Sequence, residues 1–339
     1  MRGAGRERPL CGDTSGVLPW DSLTEVGQIR RLRDLALRAL KGFGIEPRRL
    51  RLVGGFTNVV FRVDTDRGPL ALRVDLHQEH SDADVDNELA WLRALEGSGL
   101  DVCRYLRAAD GRDYVYERAA GVPGARRCVL FHWVPGRPLG RAPSPAGYRR
   151  LGRLSAGLHE HGAGFDPPHV PLTWDRLFFW PEEVDPVVVF EPHMAKHLRG
   201  GRRELLDAAV VKVERAFARL GSGGAQLVHG DLHPHNVHVC RARVIALDFE
   251  DVTWAHRVQD LAVTLLPSFT EPEHASYREA FERGYREVAA WPVAYAGELE
   301  LFMAARAIMM INYVGHLRPD PSSYYETAFP RLARLLGGA

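Results

Sequence analysis

Two short stretches dominate the interpretation of this sequence: residues 227–237, which read LVHGDLHPHNV, and residues 244–251, which read VIALDFED. In the first, an apolar strand enters a loop that holds one carboxylate, Asp231, and five positions later one carboxamide, Asn236. In the second, an apolar strand ends abruptly in Asp248. A short turn separates the strands, so the sequence predicts a hairpin that brings Asn236 and Asp248 to the same end, beside Asp231.

Together these three side chains form a set of oxygen donors that suits Mg²⁺, which prefers hard oxygen ligands. Phosphoryl transfer needs a metal to neutralise the phosphate charge and a separate carboxylate to accept the proton of the attacking hydroxyl. The spacing Asp-x4-Asn, followed by an Asp at a strand end, is the pattern of the kinase catalytic loop. We therefore interpret Asp231 as a candidate base and Asn236 and Asp248 as candidate metal ligands.

The motifs HGDLHPHN and LDFED resemble the HGD-x4-N and IDxxD signatures of the aminoglycoside-phosphotransferase and choline-kinase family, and NELAWLRAL and LFHWVPGRPL are similar to that family too. The resemblance covers residues 45 to 320. It implies an α+β, bilobal protein-kinase-like fold with a small β-rich N-lobe and a larger, mainly helical C-lobe. It also implies that Asp231 is the catalytic base, that Asn236 and Asp248 hold Mg²⁺, and that Asp260 braces the catalytic loop.

The N-terminal half contains candidates for the nucleotide-binding elements that such a fold requires. Gly55 and Asn58 lie in a glycine-containing turn between two predicted strands, Arg73 lies on the following strand, and Glu88 lies on the apolar face of the next helix. A buried carboxylate is costly without a partner, so we expect an Arg73–Glu88 pair in which the arginine contacts the phosphates. Arg73 departs from the lysine that is commoner in kinases at this position, and arginine has a different geometry.

The strand that ends at Phe131 is followed by a segment around Trp133 whose backbone is predicted to bind adenine. A Pro-Gly pair then interrupts the pattern, as expected at a hinge. We expect a flexible leader at residues 1–24, a nucleotide-binding lobe at 25–134, and a helical lobe with the catalytic loop and the substrate site at 135–339.

Bulk composition excludes several classes of protein. The chain has 339 residues and a formal net charge of +1, so neither a nucleic-acid partner nor an anionic membrane surface is indicated. The four cysteines form no CxxC pair, and no secretory signal or long apolar run is visible. The sequence therefore predicts a cytoplasmic protein with free thiols, either a monomer or a homodimer.

The expected function is transfer of a phosphoryl group from ATP or GTP to a hydroxyl of a small molecule, with an antibiotic as the first choice of acceptor. A metabolite such as homoserine, choline or hydroxylysine is an alternative, as is a protein substrate like those of stress-response Ser/Thr kinases. A nucleotide-binding pseudokinase is the rival from another class. The carboxylates of the helical half, such as Glu182, Glu183 and Asp185, look scattered, which favours a less cationic acceptor than an aminoglycoside.

Several neighbouring residues carry competing interpretations. His229 could be a base, but we favour a structural role in the loop. A zinc site built from His229, His233, His235 and His238 with Asp231 is disfavoured. No HExxH motif is present, and His235 and His238 would point different ways around Asn236. For Glu250 and Asp251, which follow Asp248 closely, the sequence does not decide between support of the site and exposure in a turn.

Overall fold

The computed structural model describes residues 18–54, 58–76, 79–221 and 223–337. The chain divides into two compact units: the first combines the chain up to residue 78 with residues 106–133, and the second combines residues 79–105 with the chain from residue 134 onward. The first unit is rich in β-structure and the second is mainly helical. The predicted α+β class, with a β-sheet region followed by a helical region, is confirmed.

The division predicted between residues 134 and 135 lies one residue from the break after Trp133. Residues 79–105, which the sequence assigned to the nucleotide-binding lobe, are grouped by their contacts with the helical unit. Most of the predicted leader, residues 1–17, lies outside the described residues, and its remainder contains a short 3-10 helix, Trp20–Ser22.

The first unit is built on an antiparallel sheet in which the strands lie in the order β1–β2–β3–β6, with β5 also paired to β6. Their bounds are β1 (Arg49–Gly54), β2 (Asn58–Thr65), β3 (Gly68–Asp75), β4 (Tyr105–Leu106, at the boundary of the units), β5 (Val115–Glu117) and β6 (Arg126–His132). Helix α1 (Glu25–Gly42) contributes Leu32, Leu35 and Leu40 to the buried core of this unit. Burial of the apolar face of the sheet and of α1 stabilises the unit.

The second unit consists of seven helices within the described residues and two small sheets. The helices are α2 (Asp82–Leu95), α3 (Pro145–Ala163), α4 (Arg202–Arg219), α5 (Arg257–Leu265), α6 (His274–Arg286), α7 (Glu298–Leu317) and α8 (Ser322–Gly337). The strands are β7 (Arg137–Pro138), β8 (Gln226–Val228), β9 (Val237–Cys240), β10 (Arg243–Ala246) and β11 (Thr253–Ala255). None of the helices in this or the first unit, as far as they are described, has the length and apolar character needed to cross a membrane.

The start of α2 follows directly from its sequence. The Ser81 side chain accepts a hydrogen bond from the Asp84 backbone, and the Asp84 side chain accepts one from the Ser81 backbone. This reciprocal capping box satisfies N–H groups that a helix leaves unpaired at its first turn.

Two antiparallel strand pairs position the loop that the sequence singles out. Strands β9 and β10 form the predicted hairpin, in which Val237 pairs with Ala246, and β7 adds to the other edge of β9. Strand β8, which leads into the loop, pairs with β11, so that Val228 lies opposite Thr253. The loop at residues 229–236 therefore enters from one strand pair and leaves through another.

Candidate active site

The loop between β8 and β9 begins with a glycine whose backbone no other residue could adopt without strain. Gly230 has a φ of 78°, and a Cβ atom at this position would lie 2.1 Å from the carbonyl oxygen of Asp251. The left-handed conformation is costly for residues with a side chain, and the close approach to a backbone atom excludes one sterically. Gly230 thus permits the turn that directs the next residue, Asp231, away from the strand.

The carboxylate of Asp231 is held on both of its oxygens. Asn236 donates from Nδ2 to Oδ2 at 2.9 Å, and Arg306 donates from Nη2 to Oδ1 at 2.8 Å. The Asp231 side chain is only 18% exposed. Burial raises the pKa of Asp231 to about 7, while the positive charge of Arg306 acts in the opposite direction. A largely buried carboxylate with two fixed donors is oriented as a general base requires.

Asn236 and Asp248 leave the hairpin at the same end, as the sequence predicts. The Leu247 backbone donates to the Asn236 carbonyl at 2.9 Å, which places Asp248 one residue beyond the last paired position. Asp248 has a φ of 64°, in the left-handed region that Asp tolerates better than most residues. Such strained backbone is concentrated at functional sites, because the surrounding structure must hold it in place.

The donor set fits a hard divalent cation. Both hydrogen bonds of the Asn236 carboxamide to Asp231 use Nδ2, one to the backbone oxygen at 3.0 Å and one to the side chain at 2.9 Å. Within the described residues its Oδ1 makes no hydrogen bond, so it is available as an oxygen ligand. Oxygen atoms of a carboxamide and a carboxylate on neighbouring chain segments are the ligands that Mg²⁺ takes beside phosphate oxygens.

His229 supports the loop through its ring. The side chain is fully buried, its Nδ1 accepts a hydrogen bond from the Asp231 backbone at 3.3 Å, and its Nε2 lies 2.9 Å from the Leu247 carbonyl. Because Nδ1 accepts, Nε2 must carry the proton and donate. Burial lowers the pKa of His229, which keeps the ring neutral. Both ring nitrogens are therefore used in joining the loop to the end of β10, in agreement with the structural role that the sequence favours.

Asp260 on α5 holds the loop from the other side. Its Oδ1 accepts a hydrogen bond from the Gly230 backbone at 2.8 Å, and its Oδ2 lies 2.9 Å from Nε2 of His159 on α3. Nδ1 of His159 lies in turn 2.8 Å from the hydroxyl of Tyr285. Asp260 and His159 are both fully buried. The bracing of the loop by Asp260, which the resemblance implies, is confirmed.

Asp251 supports the site through its own hydrogen bond. Nε2 of His80 lies 2.9 Å from Oδ1 of Asp251. Burial acts to raise the pKa of Asp251, but the hydrogen bond and the charge of His80 outweigh it, so that the pKa is lowered overall. Since the Asp251 backbone also packs against Gly230, this residue supports the catalytic loop and is not a solvated turn residue.

The predicted nucleotide-binding residues of the first unit lie at these positions. Asn58 begins β2, and Gly55 lies outside the described residues. Arg73 on β3 is 8% exposed, and its guanidinium lies 5.2 Å from the centre of the Phe131 ring. The Trp133 backbone N–H donates to the Pro69 carbonyl at 3.2 Å, so that this N–H is occupied within the sheet.

Glu88, the predicted partner of Arg73, is a fully buried residue of α2 in the second unit. The Arg73–Glu88 pair stays a prediction, as do the nucleotide contacts of Gly55, Phe131 and Trp133.

Sequence reasoning missed Arg306. This residue comes from α7, 75 positions beyond Asp231, and spacing within the motif gives no indication of it. A signal was present nonetheless, because Arg306 is the one charged residue in the mainly apolar stretch from Leu301 to Val314. A lone charge within a buried helix needs a partner, so the stretch indicated that a carboxylate lies opposite.

A second feature on α7 was also missed. Asn312 is fully buried, and its Oδ1 accepts hydrogen bonds from the Val188 and Val189 backbones at 2.9 and 3.0 Å. Its Nδ2 donates to Oδ1 of Asp185 and to the Pro186 carbonyl, both at 3.0 Å. Asn312 thereby fixes the segment that carries Asp185 against the same helix as Arg306.

The carboxylates of this region converge on Tyr313, the next residue of α7. Burial raises the pKa of the Tyr313 hydroxyl, and the negative charges of Glu79, Asp251, Asp185 and Glu250 raise it further. Of the carboxylates that look scattered in the sequence, Asp185 is therefore close enough in three dimensions to act on Tyr313, together with three carboxylates of other segments. The surroundings of Tyr313 are more acidic than the sequence alone indicates.

Comparisons with known proteins agree with this geometry. The family model of the phosphotransferase enzyme family, APH, matches residues 49–296. An uncharacterized protein of Deinococcus radiodurans is 30% identical over 293 residues, which cover 82% of this chain and 82% of that protein.

Solved structures show the same fold. That of a microcompartment-associated aminopropanol kinase has a TM-score of 0.72 at 22% identity and covers 89% of this chain and 95% of its own. That of an amicoumacin kinase in complex with AMP-PNP, Ca²⁺ and Ami also has a TM-score of 0.72, at 16% identity, and covers 92% of this chain and 96% of its own. Both likenesses concern the fold. On the family match and the 30% relative, the chain belongs to the phosphotransferase enzyme family APH and is a small-molecule kinase of that family.

Proposed function

We propose that this kinase transfers the γ-phosphoryl group of ATP or GTP to a hydroxyl of a small molecule that also carries an ammonium group. The observation that carries the proposal is the fixed orientation of Asp231, with Asn236 2.9 Å from its carboxylate and Asp248 at the same end of the hairpin. This arrangement joins a candidate base to two candidate metal ligands.

The side chains of the loop divide the work of the reaction. Asp231 accepts the proton of the acceptor hydroxyl, and its two hydrogen-bonded oxygens keep it aimed at that group. The Asn236 carboxamide oxygen and the Asp248 carboxylate hold Mg²⁺, which when bound neutralises charge on the phosphates of the nucleotide. Asp260 and His229 keep the loop in place and take no part in proton transfer.

Roles for residues of the nucleotide site follow from the family likeness. We propose that Arg73 contacts the phosphates and that Gly55, Asn58 and the segment from Phe131 to Trp133 contribute to nucleotide binding. Because ATP and GTP are cytoplasmic metabolites and the described cysteines are free, we place the reaction in the cytoplasm.

The ammonium group of the acceptor is proposed from the charges around Tyr313. Four carboxylates act on this hydroxyl, and Asp185 among them is held by Asn312 at 3.0 Å. Carboxylates that are partly desolvated attract a cation more strongly than exposed ones do. The acceptor is therefore expected to be more cationic than the sequence alone indicates.

An antibiotic that carries both a hydroxyl and an ammonium group is our first candidate for the acceptor, and the similar fold of an amicoumacin kinase supports an antibiotic. The second candidate is an amino alcohol or hydroxylated amino acid of metabolism. The aminopropanol kinase of equal structural similarity supports it. Compounds of both kinds can carry an ammonium group, which the carboxylates around Tyr313 would attract.

The deciding experiment is a panel of acceptors tested with purified protein, Mg²⁺ and either ATP or GTP, in which gain of one phosphate is read by mass spectrometry. The panel should include amicoumacin, spectinomycin, 1-amino-2-propanol, homoserine, hydroxylysine and choline, with neutral polyols as the matched control. Phosphorylation confined to ammonium-bearing compounds is the expected result. Transfer to the neutral polyols alone would overturn the assignment of the acceptor.

The same panel separates an enzyme from a nucleotide-binding pseudokinase. A pseudokinase would show a higher melting temperature with ATP and Mg²⁺ but would phosphorylate no acceptor. For the enzyme, Asp231→Asn is expected to reduce transfer at least about 100-fold while nucleotide binding persists, because it removes the base. Undiminished transfer by Asp231→Asn would show that Asp231 is not the base.

A further inference from the structure

Arg306 is a largely buried cation that donates one hydrogen bond to the candidate base, Asp231. Its side chain is 17% exposed, and Nη2 donates to Oδ1 of Asp231 at 2.8 Å. Guanidinium has five N–H donors in a planar fork. Within the described residues this is the one hydrogen bond that Arg306 makes, so the other N–H groups remain available to a ligand.

The loop at residues 229–236 contains no arginine or lysine, and so no permanently charged cation next to Asp231. Between residues 229 and 236 the basic residues are histidines alone. Nε2 of His233 lies 3.5 Å from Oδ2 of Asp231, and its Nδ1 accepts a hydrogen bond from the His235 backbone at 3.1 Å. The permanent charge beside the base therefore comes from α7.

The position of Arg306 brings it within reach of the reacting atoms. In a productive complex the acceptor hydroxyl lies about 3 Å from the base, and the phosphorus that it attacks lies about 3 Å beyond. Because Nη2 of Arg306 lies 2.8 Å from Oδ1 of Asp231, its guanidinium is within reach of that phosphorus. Its unused N–H groups can then meet a phosphoryl oxygen, which arginine binds through paired hydrogen bonds.

We propose that Arg306 is a catalytic residue that binds an oxygen of the phosphoryl group during its transfer, from the side of the acceptor. The inference rests on the proposed kinase function. In that step the acceptor oxygen forms a bond to the γ-phosphorus, and the bond from this phosphorus to the β–γ bridging oxygen breaks. The hydroxyl proton moves to Asp231, and the nucleoside diphosphate leaves. Charge spread over the transferring oxygens is stabilised by a cation that is already in place.

The experiment compares the full-length wild type with Arg306→Met and Arg306→Lys. Arg286→Met serves as the matched control, since Arg286 is also a helical arginine paired with a carboxylate but is 55% exposed on α6. Steady-state kinetics with the acceptor found in the panel give kcat and the KM for each substrate. Calorimetry gives the affinities for ADP–Mg²⁺ and for ADP–Mg²⁺ with aluminium fluoride, which imitates the phosphoryl group in transit.

Arg306→Met is expected to reduce kcat by about 1000-fold, the lower end of the effect of such arginines in related reactions, and to leave both KM values within about threefold. It should bind ADP as the wild type does but lose most of the added affinity given by aluminium fluoride. Arg306→Lys should recover about tenfold in kcat, because lysine keeps the charge but not the fork. Arg286→Met should match the wild type.

Three results would overturn the inference while leaving the kinase function intact. One is a wild-type kcat in Arg306→Met. Another is a raised acceptor KM with unchanged kcat, which would mean that Arg306 binds an anionic group of the acceptor. The third is a low kcat with the full preference for aluminium fluoride, which would mean that Arg306 positions Asp231 only.

If Arg306→Met is unfolded by circular dichroism, Arg306→Lys decides by the same criteria. Absence of transfer by the wild type to any acceptor would instead contradict the proposed function, and with it this inference.

Discussion

The Gly230 backbone N–H donates a hydrogen bond to the carboxylate of Asp260 at 2.8 Å, and this contact ties the candidate catalytic loop to helix α5. The other oxygen of Asp260 lies 2.9 Å from Nε2 of His159, so three chain segments meet at one fully buried carboxylate. The candidate base, Asp231, directly follows Gly230, whose backbone Asp260 holds. The rigidity of the loop is therefore set by a residue that touches no substrate.

Removal of this carboxylate should destabilise the fold. Asp260→Ala leaves the Gly230 N–H and the buried His159 ring without their acceptor, and two buried donors left without a partner cost about 3 kcal/mol in total. Urea denaturation should show a decrease of about that size in the free energy of unfolding. Asp207→Ala is the control, because Asp207 pairs with Arg203 where both side chains are about half exposed, and it should cost less than about 0.5 kcal/mol. Equal losses in the two variants would contradict the role of Asp260.

Substitution of Gly230 should destabilise the protein by more than its left-handed backbone conformation alone would explain. In Gly230→Ala the new Cβ atom would meet the Asp251 carbonyl oxygen at 2.1 Å, in addition to the left-handed strain. Gly200→Ala is the matched control, because Gly200 has a φ of 68° but no atom within 4 Å of the added Cβ. The control should lose about 1 kcal/mol. Gly230→Ala should lose several times as much or fail to fold, as measured by thermal denaturation; similar losses would show that the loop can move away from Asp251.

Asp248 allows the chemistry of a candidate metal ligand to be separated from its backbone strain. Asn tolerates the left-handed conformation about as well as Asp, whereas Ala does not. Asp248→Asn should therefore keep the wild-type stability but lose at least about 100-fold in kcat and need more Mg²⁺ for half-maximal rate, because a charged ligand becomes neutral. Asp248→Ala should lose activity and also about 1 kcal/mol of stability. An Asp248→Asn variant with the wild-type Mg²⁺ requirement would exclude Asp248 as a ligand.

Features that are local in sequence could be predicted here, because local physical rules determine them. The hairpin that brings Asn236 beside Leu247 follows from two apolar runs and a turn, and the capping box of Ser81 and Asp84 follows from their spacing. Asp260 was identified by resemblance and not by spacing. These elements need little information from distant parts of the chain.

Contacts between distant segments could not be predicted. Arg306 reaches Asp231 only because α7 packs beside the catalytic loop, and no local rule fixes that packing. The convergence of Glu79 and Asp185 on Tyr313 has the same origin, since each comes from a different segment of the second unit. The charge balance around Tyr313 therefore depends on tertiary structure and could not be read from the spacing of carboxylates in the sequence.

Asp185 yields a prediction on pH dependence. Burial raises the pKa of Asp185 to about 6, although the charge of His316, the hydrogen bond from Asn312 and the charge of Arg306 act to lower it. In the unfolded chain an aspartate has a pKa near 3.8, so the folded state binds this proton more tightly. The unfolding free energy contributed by Asp185 should therefore fall as the pH rises from about 4 to about 6, and stay low above that range.

Asp185→Asn should abolish this penalty, because a carboxamide oxygen can still accept the hydrogen bond from Asn312. Urea denaturation should show the variant about 1 kcal/mol more stable than the wild type at pH 8, a value reduced by partial exposure, and equal to it at pH 4. Asp175→Asn, at a side chain that is 59% exposed, should show no such pH dependence.

A carboxylate that is kept at a cost in stability indicates that a ligand uses it. Asp185→Asn should therefore also raise the KM of an ammonium-bearing acceptor about tenfold while leaving the KM of ATP unchanged. An equal gain in stability at pH 4 and pH 8 would contradict the raised pKa, and an unchanged acceptor KM would show that the ammonium group binds elsewhere.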